Sequence, residues 1–207
     1  RQGDPSDLQS RLRVLALHLM FRLVVGVGNP GNEYATTKHN IAWMLFDTHP
    51  VLRSANWKMK FKGEFCDVDL KSQRTTFLKP QTYMNLSGES VQPLAAFYKI
   101  PPSEILVVHD ELDIPFGQVH FKMGGGLAGH NGLKSIAALL GTDAFGRMRI
   151  GIGRPIHGSV ADWVLSPFSK DQQIALPLLL EKLHGPLEEC VLTGIAKASV
   201  INKKSLI

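Results

Sequence analysis

Three asparagines stand where a chain of alternating strands and helices would carry reactive groups. Asn29 follows the apolar segment "RLVVGVG", Asn85 lies in "TYMNLSGE" and Asn131 lies in "GHNG". A carboxamide both donates and accepts hydrogen bonds, so several converging amides can hold a water molecule and also contact an ester carbonyl. Each asparagine alone is better explained as a turn residue or a helix cap. Their combination indicates a site.

A histidine and a carboxylate offer general-base chemistry. His39 lies just before a helical pattern, and Asp110 stands at the end of the apolar run "EILVVHD". A carboxylate can accept a hydrogen bond from one imidazole nitrogen, which fixes the tautomer and leaves the other nitrogen as a base. The sequence contains no G-x-S-x-G motif, and Cys66 and Cys190 lack a nucleophile's context. The pattern therefore favours an activated water over a covalent intermediate, although the sequence alone does not show that His39 and Asp110 meet.

Metal and nucleotide chemistry are the competing interpretations. The segment "HDELD" offers four metal-ligand types: His109, Asp110, Glu111 and Asp113. Neighbouring strand residues point to opposite faces and no HExxH pairing is present, so we expect no metal and no cofactor. The spacing Gly26-x-Gly28-x-x-Gly31 suggests a dinucleotide loop, but a polar stretch and then a hairpin follow it. We expect instead a tight turn that presents Asn29, with glycines that let the backbone pass close to a substrate.

A glycine-rich segment, "KMGGGLAGHNG", precedes a predicted helix. Its backbone amides and the helix dipole suit a phosphate. Three basic residues flank this region, Lys122, Lys134 and Arg149, and each alone is explained as a solvated surface charge. Together they favour a nucleic-acid phosphate. The lysines of "WKMKFKGE" instead indicate a protected sheet edge.

Composition favours one α/β domain. The chain has 207 residues, 44% of them hydrophobic, and a formal net charge of +5, which permits a polyanionic partner without requiring one. Two cysteines without CxxC spacing indicate a reducing cytosol, that is, a cytoplasmic location. Residues 1–19 are interpreted as an extension or vector remnant rather than a targeting segment, because "VLALHLMF" is too short to span a bilayer. We expect residues 20–207 to form the folded domain, with no membrane partner.

The apolar periodicity predicts alternating strands and helices. Predicted strands cover 22–28, 63–70, 74–79, 104–112, 118–123 and 147–153, and predicted helices cover 39–48, 87–99, 130–140, 170–183 and 187–197. Strands interleaved with helices predict an α/β fold: a single three-layer domain with a twisted mixed β-sheet flanked by helices. Active-site groups in such sheets gather where strands end and loops begin.

Four ordered motifs resemble the bacterial-type peptidyl-tRNA hydrolase family over about residues 20–195. They are "VVGVGNPGNEYATTKHN", "FLKPQTYMNLSGESV", "VVHDELDIPFGQVHFKMGGGLAGHNGLKSI" and "RMRIGIGRP". The resemblance implies a monomeric, metal-free hydrolase that cleaves the ester between a peptide and tRNA. It also implies roles, with His39 as general base, Asp110 as orienting acid, Asn29, Asn85 and Asn131 as positioning amides, Tyr34, Met84 and His130 lining the site, Lys122 and Arg149 clamping the tRNA 5′ phosphate, and Lys134 on the basic surface.

Two departures from the family pattern stand out. Lys38 stands where arginine is common, which keeps the charge but loses the bidentate fork. The segment "HGSVADWVLSPF" matches the family least well, so its lid details are left open. A non-catalytic RNA-binding module on the same fold is the alternative function.

Overall fold

A computed structural model describes residues 21–207. Within this range one sheet has seven strands, β1–β7: Leu23–Gly26, Lys58–Lys60, Gly63–Leu70, Gln73–Pro80, Ile105–Glu111, Val119–Met123 and Gly146–Gly151. The same range has seven α-helices, α1–α7: Ile41–Thr48, Pro50–Arg53, Gly88–Phe97, Asn131–Leu140, Val160–Val164, Lys170–Thr193 and Ile195–Ala198. The extension predicted for residues 1–19 lies outside the described residues.

The sheet is mixed, and its central strands run parallel. The strand order is β2-β3-β4-β1-β5-β7-β6, and β4, β1, β5 and β7 are mutually parallel neighbours. β1 and β5 are buried along their whole length, as expected of apolar strands covered on both faces. Because parallel strands place their carboxyl ends at one edge of the sheet, the predicted reactive segments meet there.

Helices cover both faces of the sheet, which confirms the predicted three-layer α/β domain. On one face Val24 and Leu106 belong to an apolar cluster that includes residues of α1 and α6. On the other face Val25 and Val107 pack with residues of α3 and α4. Among the helices of residues 21–207, none has the length and apolar character that a membrane crossing requires.

The predicted hairpin is confirmed as β3 and β4, which pair antiparallel from Gly63 opposite Pro80 to Leu70 opposite Gln73. A two-residue turn joins them, and its residues Lys71 and Ser72 have φ angles of 47° and 74°. Two left-handed residues match the right-handed twist of the flanking strands. β2 lies at the edge of the sheet with all three residues exposed, as the lysine spacing predicts.

The prediction of two C-terminal helices was wrong. A single helix, α6, runs through Pro177 and Pro186. Its buried positions continue with helical spacing from Leu179 through Leu183 and Leu187, so packing of this stripe outweighs the hydrogen bonds that the prolines cannot make. A capping box from Ser169 and Gln172 begins the helix.

The glycines at the end of β1 and just beyond it have a different reason from the predicted one. A Cβ atom at Gly26 would lie 2.6 Å from the ring of Phe46, and one at Gly28 would lie 2.7 Å from the ring of Trp43. Trp43 Nε1 also donates to the carbonyl of Gly26 at 2.7 Å. These glycines let α1 pack closely on the strand end, rather than clearing a path for a substrate. Gly31, with φ of 110°, does form part of a turn that needs glycine.

Candidate active site

A cavity of about 340 Å³ opens at the carboxyl edge of the sheet. Its polar wall consists of six residues: His39, Asp110, Glu111, His130, Asn131 and Arg154. Apolar side chains complete it: Leu112, Ala128, Val160, Ala161 and Val164. A polar end beside an apolar wall suits a substrate that presents a reacting carbonyl and a less polar chain.

The central feature of the site is one carboxylate oxygen that contacts two histidines. His39 Nδ1 lies 2.8 Å from Asp110 Oδ1, and His130 Nε2 lies 3.0 Å from the same oxygen. The two imidazole rings are 5.0 Å apart. His39 and Asp110, whose meeting the sequence left open, are therefore in contact, and His130 joins them.

Hydrogen bonds assign the tautomers of both rings. His130 is the N-cap residue of α4, and its Nδ1 accepts a hydrogen bond from the backbone N–H of Leu133 at 3.4 Å, so Nε2 carries the proton donated to Asp110. A carboxylate is an acceptor only, so His39 donates from Nδ1. The Nε2 atom of His39 then keeps a free lone pair, which is the arrangement of a general base with its orienting acid.

Asp110 is ionised in this environment. Burial alone would raise its pKa, but the electrostatic attraction of His39 and the hydrogen bonds from His130 and His39 lower the pKa well below its ordinary range. His109 Nδ1 lies 2.7 Å from the backbone carbonyl of Asp110. Burial, assisted by the neighbouring His130, holds the pKa of His109 well below its usual value. His109 is therefore a neutral ring that donates to the strand end carrying Asp110.

Asn29 is held by Asn40, a polar residue of the segment "KHN" to which the sequence assigned no role. The side chain of Asn40 accepts from the backbone N–H of Asn29 and donates to its carbonyl, both at 2.9 Å. The Asn29 side chain in turn accepts from the backbone N–H of Met84 at 2.8 Å. Within residues 21–207 no hydrogen bond engages the Asn29 Nδ2 group, so its N–H groups stay available as donors. Asn40 directly follows His39, which was its only sequence signal.

The other residues predicted to line the site differ in burial and in their position relative to the cavity. Asn131, exposed at the start of α4, lines the cavity. Met84 is buried, and its Sδ lies 2.5 Å from where a Cβ on Gly132 would stand. Tyr34 is half-buried with its ring edge-on to Tyr83, and Asn85 is exposed. Of the predicted site residues, four do not belong to the cavity wall: Asn29, Tyr34, Met84 and Asn85.

A buried lysine ties the turn of His39 to the poorly matched segment near residue 166. Lys38 is 1% exposed, and its Nζ donates to Ser166 Oγ at 2.8 Å and to the carbonyl of Pro167 at 2.6 Å. The same ammonium lies 3.9 Å from the ring centroid of Trp163, a cation–π contact. Burial lowers the pKa of Lys38. Lysine therefore fills this position through one hydroxyl oxygen, one carbonyl oxygen and an aromatic ring, without a bidentate partner.

The three basic residues predicted to contact phosphate differ in exposure and in their hydrogen-bond partners. Lys122 on β6 and Lys134 on α4 are exposed, whereas Arg149 on β7 donates from Nε to Glu111 Oε2 at 3.0 Å. The register pairs Lys122 with Arg147, and residues two apart share a face, so Lys122 and Arg149 lie on the same face of the sheet.

Arg147, which the sequence reasoning also missed, organises the glycine-rich loop. It is 1% exposed, and its guanidinium donates to the carbonyls of Gly124, Gly125 and Gly126. The loop beside Lys122 is therefore shaped by a buried cation on the neighbouring strand. The sequence signal was present, since Arg147 lies two residues before Arg149.

Only one group of side chains in residues 21–207 has metal-ligand types clustered closely. His39, Asp110 and His130 place their ligand atoms within 4.8 Å of one another. This group differs from the "HDELD" set considered above, because Glu111 is paired with Arg149, and Asp113 pairs with Arg154 at 2.7 Å.

Comparisons with known proteins identify the family. A sequence model of the family described as Peptidyl-tRNA hydrolase matches residues 23–206. The chain belongs to the peptidyl-tRNA hydrolase family. A peptidyl-tRNA hydrolase of Sorangium cellulosum is 47% identical over 180 residues, covering 85% of this chain and 81% of the relative. That of Geotalea uraniireducens is 45% identical, covering 90% and 98%. The crystal structure of the peptidyl-tRNA hydrolase from Acinetobacter baumannii aligns with a TM-score of 0.81 at 34% identity, covering 90% and 97%.

In this member of the peptidyl-tRNA hydrolase family both cysteines are buried and unpaired. Burial raises the pKa of Cys66 to about 12 and raises that of Cys190 as well. Thiols in such surroundings do not ionise at neutral pH and are inert as nucleophiles. The cavity therefore depends on its imidazoles, carboxylate and amides.

Proposed function

We propose that this protein hydrolyses the ester between the peptide and the terminal ribose of peptidyl-tRNA, with a water molecule as the nucleophile. The observation that carries the proposal is the 2.8 Å contact between His39 Nδ1 and Asp110 Oδ1 at the wall of the cavity. It orients the imidazole and leaves Nε2 as the base. The family membership supports the same substrate.

The reaction proceeds in two steps. His39 Nε2 takes a proton from water as the water oxygen attacks the ester carbonyl carbon, and the carbonyl oxygen becomes an oxyanion. The amide N–H groups of Asn29 and Asn131 donate to that oxyanion, and one such donor is worth roughly 3 kcal/mol in the transition state. The intermediate then collapses and expels the ribose oxygen, which takes the proton from the imidazolium. The products are a peptide acid and free tRNA, and no cofactor or metal takes part.

The tRNA is held outside the cavity by basic side chains. Lys122 and Arg149 contact the 5′ phosphate, and Lys134 adds to the basic surface. Lys122 is exposed, whereas Arg149 already bonds Glu111, so we expect Lys122→Ala to weaken tRNA binding more than Arg149→Ala. Because phosphate contacts release counterions, the weakening should show as a reduced salt dependence of binding. We further propose that the protein acts as a monomer in the cytoplasm, where its tRNA substrate occurs.

The test compares single-turnover ester cleavage with tRNA binding. His39→Ala should abolish cleavage while tRNA affinity stays near that of the wild type, since His39 contacts water and not phosphate. His157→Ala, in an exposed loop, is the matched control and should retain both. If His39→Ala keeps full turnover, the base assignment is wrong. If the wild type binds tRNA but cleaves nothing, the RNA-binding alternative holds, and loss of activity in EDTA would indicate a metal enzyme.

A further inference from the structure

We propose that His39, Asp110 and His130 also form a binding site for Zn²⁺, and that this ion inhibits the enzyme by capturing the histidine that serves as base. The inhibition rests on the proposed function, whereas the binding does not. The two imidazole nitrogens and the carboxylate oxygen already converge within 4.8 Å. Two histidines and one carboxylate, with a fourth position open, are a recurrent protein ligand set for zinc.

The distances from Asp110 to the two histidines require only a small adjustment, whereas the two imidazole nitrogens, which lie within 4.8 Å of each other, have to approach to about 3.3 Å. Asp110 Oδ1 lies 2.8 Å from His39 Nδ1 and 3.0 Å from His130 Nε2. Zinc bonds of about 2.0–2.2 Å at tetrahedral angles separate two ligand atoms by about 3.3 Å. Each histidine therefore has to retreat from Asp110 by about half an ångström or less. The adjoining cavity of about 340 Å³ gives room for a fourth ligand such as water.

The proton positions explain why this site would inhibit. Coordination through His39 Nδ1 requires the lone pair at that atom, so the ring proton moves through solvent from Nδ1 to Nε2. Nε2 is the base nitrogen, and once protonated it cannot accept a proton from water. The ring stays neutral, and no bond other than the coordinate bond forms. Zinc thus removes the base without displacing it.

One contact opposes binding and limits the affinity. His130 coordinates through Nε2, so its proton moves to Nδ1, where the N–H of Leu133 now donates at 3.4 Å. That hydrogen bond is long and is given up. The ligand set also sets the selectivity, because imidazoles suit zinc, whereas Mg²⁺ prefers oxygen ligands and keeps its waters. We therefore expect Zn²⁺ to inhibit and Mg²⁺ to leave the site untouched.

Isothermal titration of Zn²⁺ into the full chain, without RNA, tests the binding directly. We expect the wild type to bind one zinc per chain and the control His157→Gln to bind it with unchanged affinity. In His130→Gln we expect the affinity to fall roughly 10-fold or more, since even outer-shell partners of a metal are worth about 10–100-fold. A parallel assay follows peptidyl-tRNA cleavage against Zn²⁺, with Mg²⁺ as the comparison ion. The zinc concentration for half-inhibition should rise by the same factor in His130→Gln, measured against that variant's own metal-free rate.

Three results would overturn the proposal: no binding at a large molar excess of zinc, equal affinity in His130→Gln and the wild type, or activation by zinc. Activation would mean that the triad is a catalytic metal centre. Failure of the proposed function is distinguishable, because a chain that cleaves nothing can still bind one zinc through His130 in the titration. Inhibition that persists unchanged in His130→Gln would place the metal elsewhere and would also refute the site.

Discussion

Replacing Asn40 by alanine should have two effects that can be measured separately, one on the stability of the fold and one on the positioning of Asn29. Asn40 is 1% exposed, and its amide bonds both the N–H and the carbonyl of Asn29 at 2.9 Å. The variant leaves two backbone groups without partners next to a cavity that water can enter. A net loss of about 1 kcal/mol for each bond predicts about 2 kcal/mol of destabilisation. For a domain of this size that corresponds to a fall in Tm of about 4–8 °C.

The same change should reduce kcat. Asn29 is then fixed mainly through its bond to Met84, and its free N–H groups no longer face the developing oxyanion reliably. A misplacement of about 1 Å costs roughly 100-fold in rate, so we expect kcat to fall by about that factor at a temperature where the variant is fully folded. Thermal unfolding and cleavage kinetics at saturating substrate measure the two effects separately.

Asn202 supplies a matched control. Its side chain accepts from the N–H of Phe121 at 2.7 Å and donates to the Phe121 carbonyl at 3.1 Å, the same pair of bonds at the edge strand β6. Asn202→Ala should lower Tm comparably and leave kcat unchanged. If Asn40→Ala lowers Tm but keeps kcat within a few-fold of the wild type, Asn40 is only structural. If neither quantity changes, the hydrogen-bond assignment itself is wrong.

Two further predictions concern the rest of the fold. Burial, and then the charge of His184, lowers the pKa of His49, whereas the carboxylate of Glu188 raises it. The stability that neutral His49 contributes to the fold is therefore complete above a pH of about 6.5 and is lost as the pH falls below that value. His49→Gln should therefore flatten the pH dependence of the urea midpoint, and an unchanged profile would contradict the assignment. Gly28→Ala should force the Trp43 ring aside, break its bond to the Gly26 carbonyl and destabilise by roughly 1–3 kcal/mol. The double variant with Trp43→Leu should recover part of this loss, and strict additivity would argue against the packing explanation.

Local patterns were sufficient to predict most of the architecture. The hairpin, the buried strand β5 and helix α4 follow from alternation, turn residues and apolar spacing. The C-terminal helices were separated wrongly because Pro186 breaks a helix in isolation, and only tertiary burial of the leucine stripe decides otherwise. Helix propensity depends on neighbouring residues in the sequence, whereas the burial that stabilises this helix depends on contacts with distant parts of the chain.

The sequence predicted residues of the candidate site, but it did not predict the hydrogen bonds that hold them in place. The types of His39, Asp110 and Asn29 indicated the chemistry, but two hydrogen bonds from Asn40 and three from Arg147 depend on which strand ends and loops become neighbours. Arg147 looks like a surface cation in sequence and is buried because the glycine loop supplies carbonyls to it. The shared oxygen of Asp110 likewise requires α4 to begin beside β5, which no spacing along the chain encodes.

The turn at Lys71 and Ser72 has a practical consequence for handling this protein. It joins the carboxyl end of β3 to the amino end of β4, so it lies at the opposite edge of the sheet from the cavity. Lys71 has a side chain that is 71% exposed. A fluorophore or a surface linker attached here would therefore lie far from the cavity and would not obstruct an incoming nucleic acid.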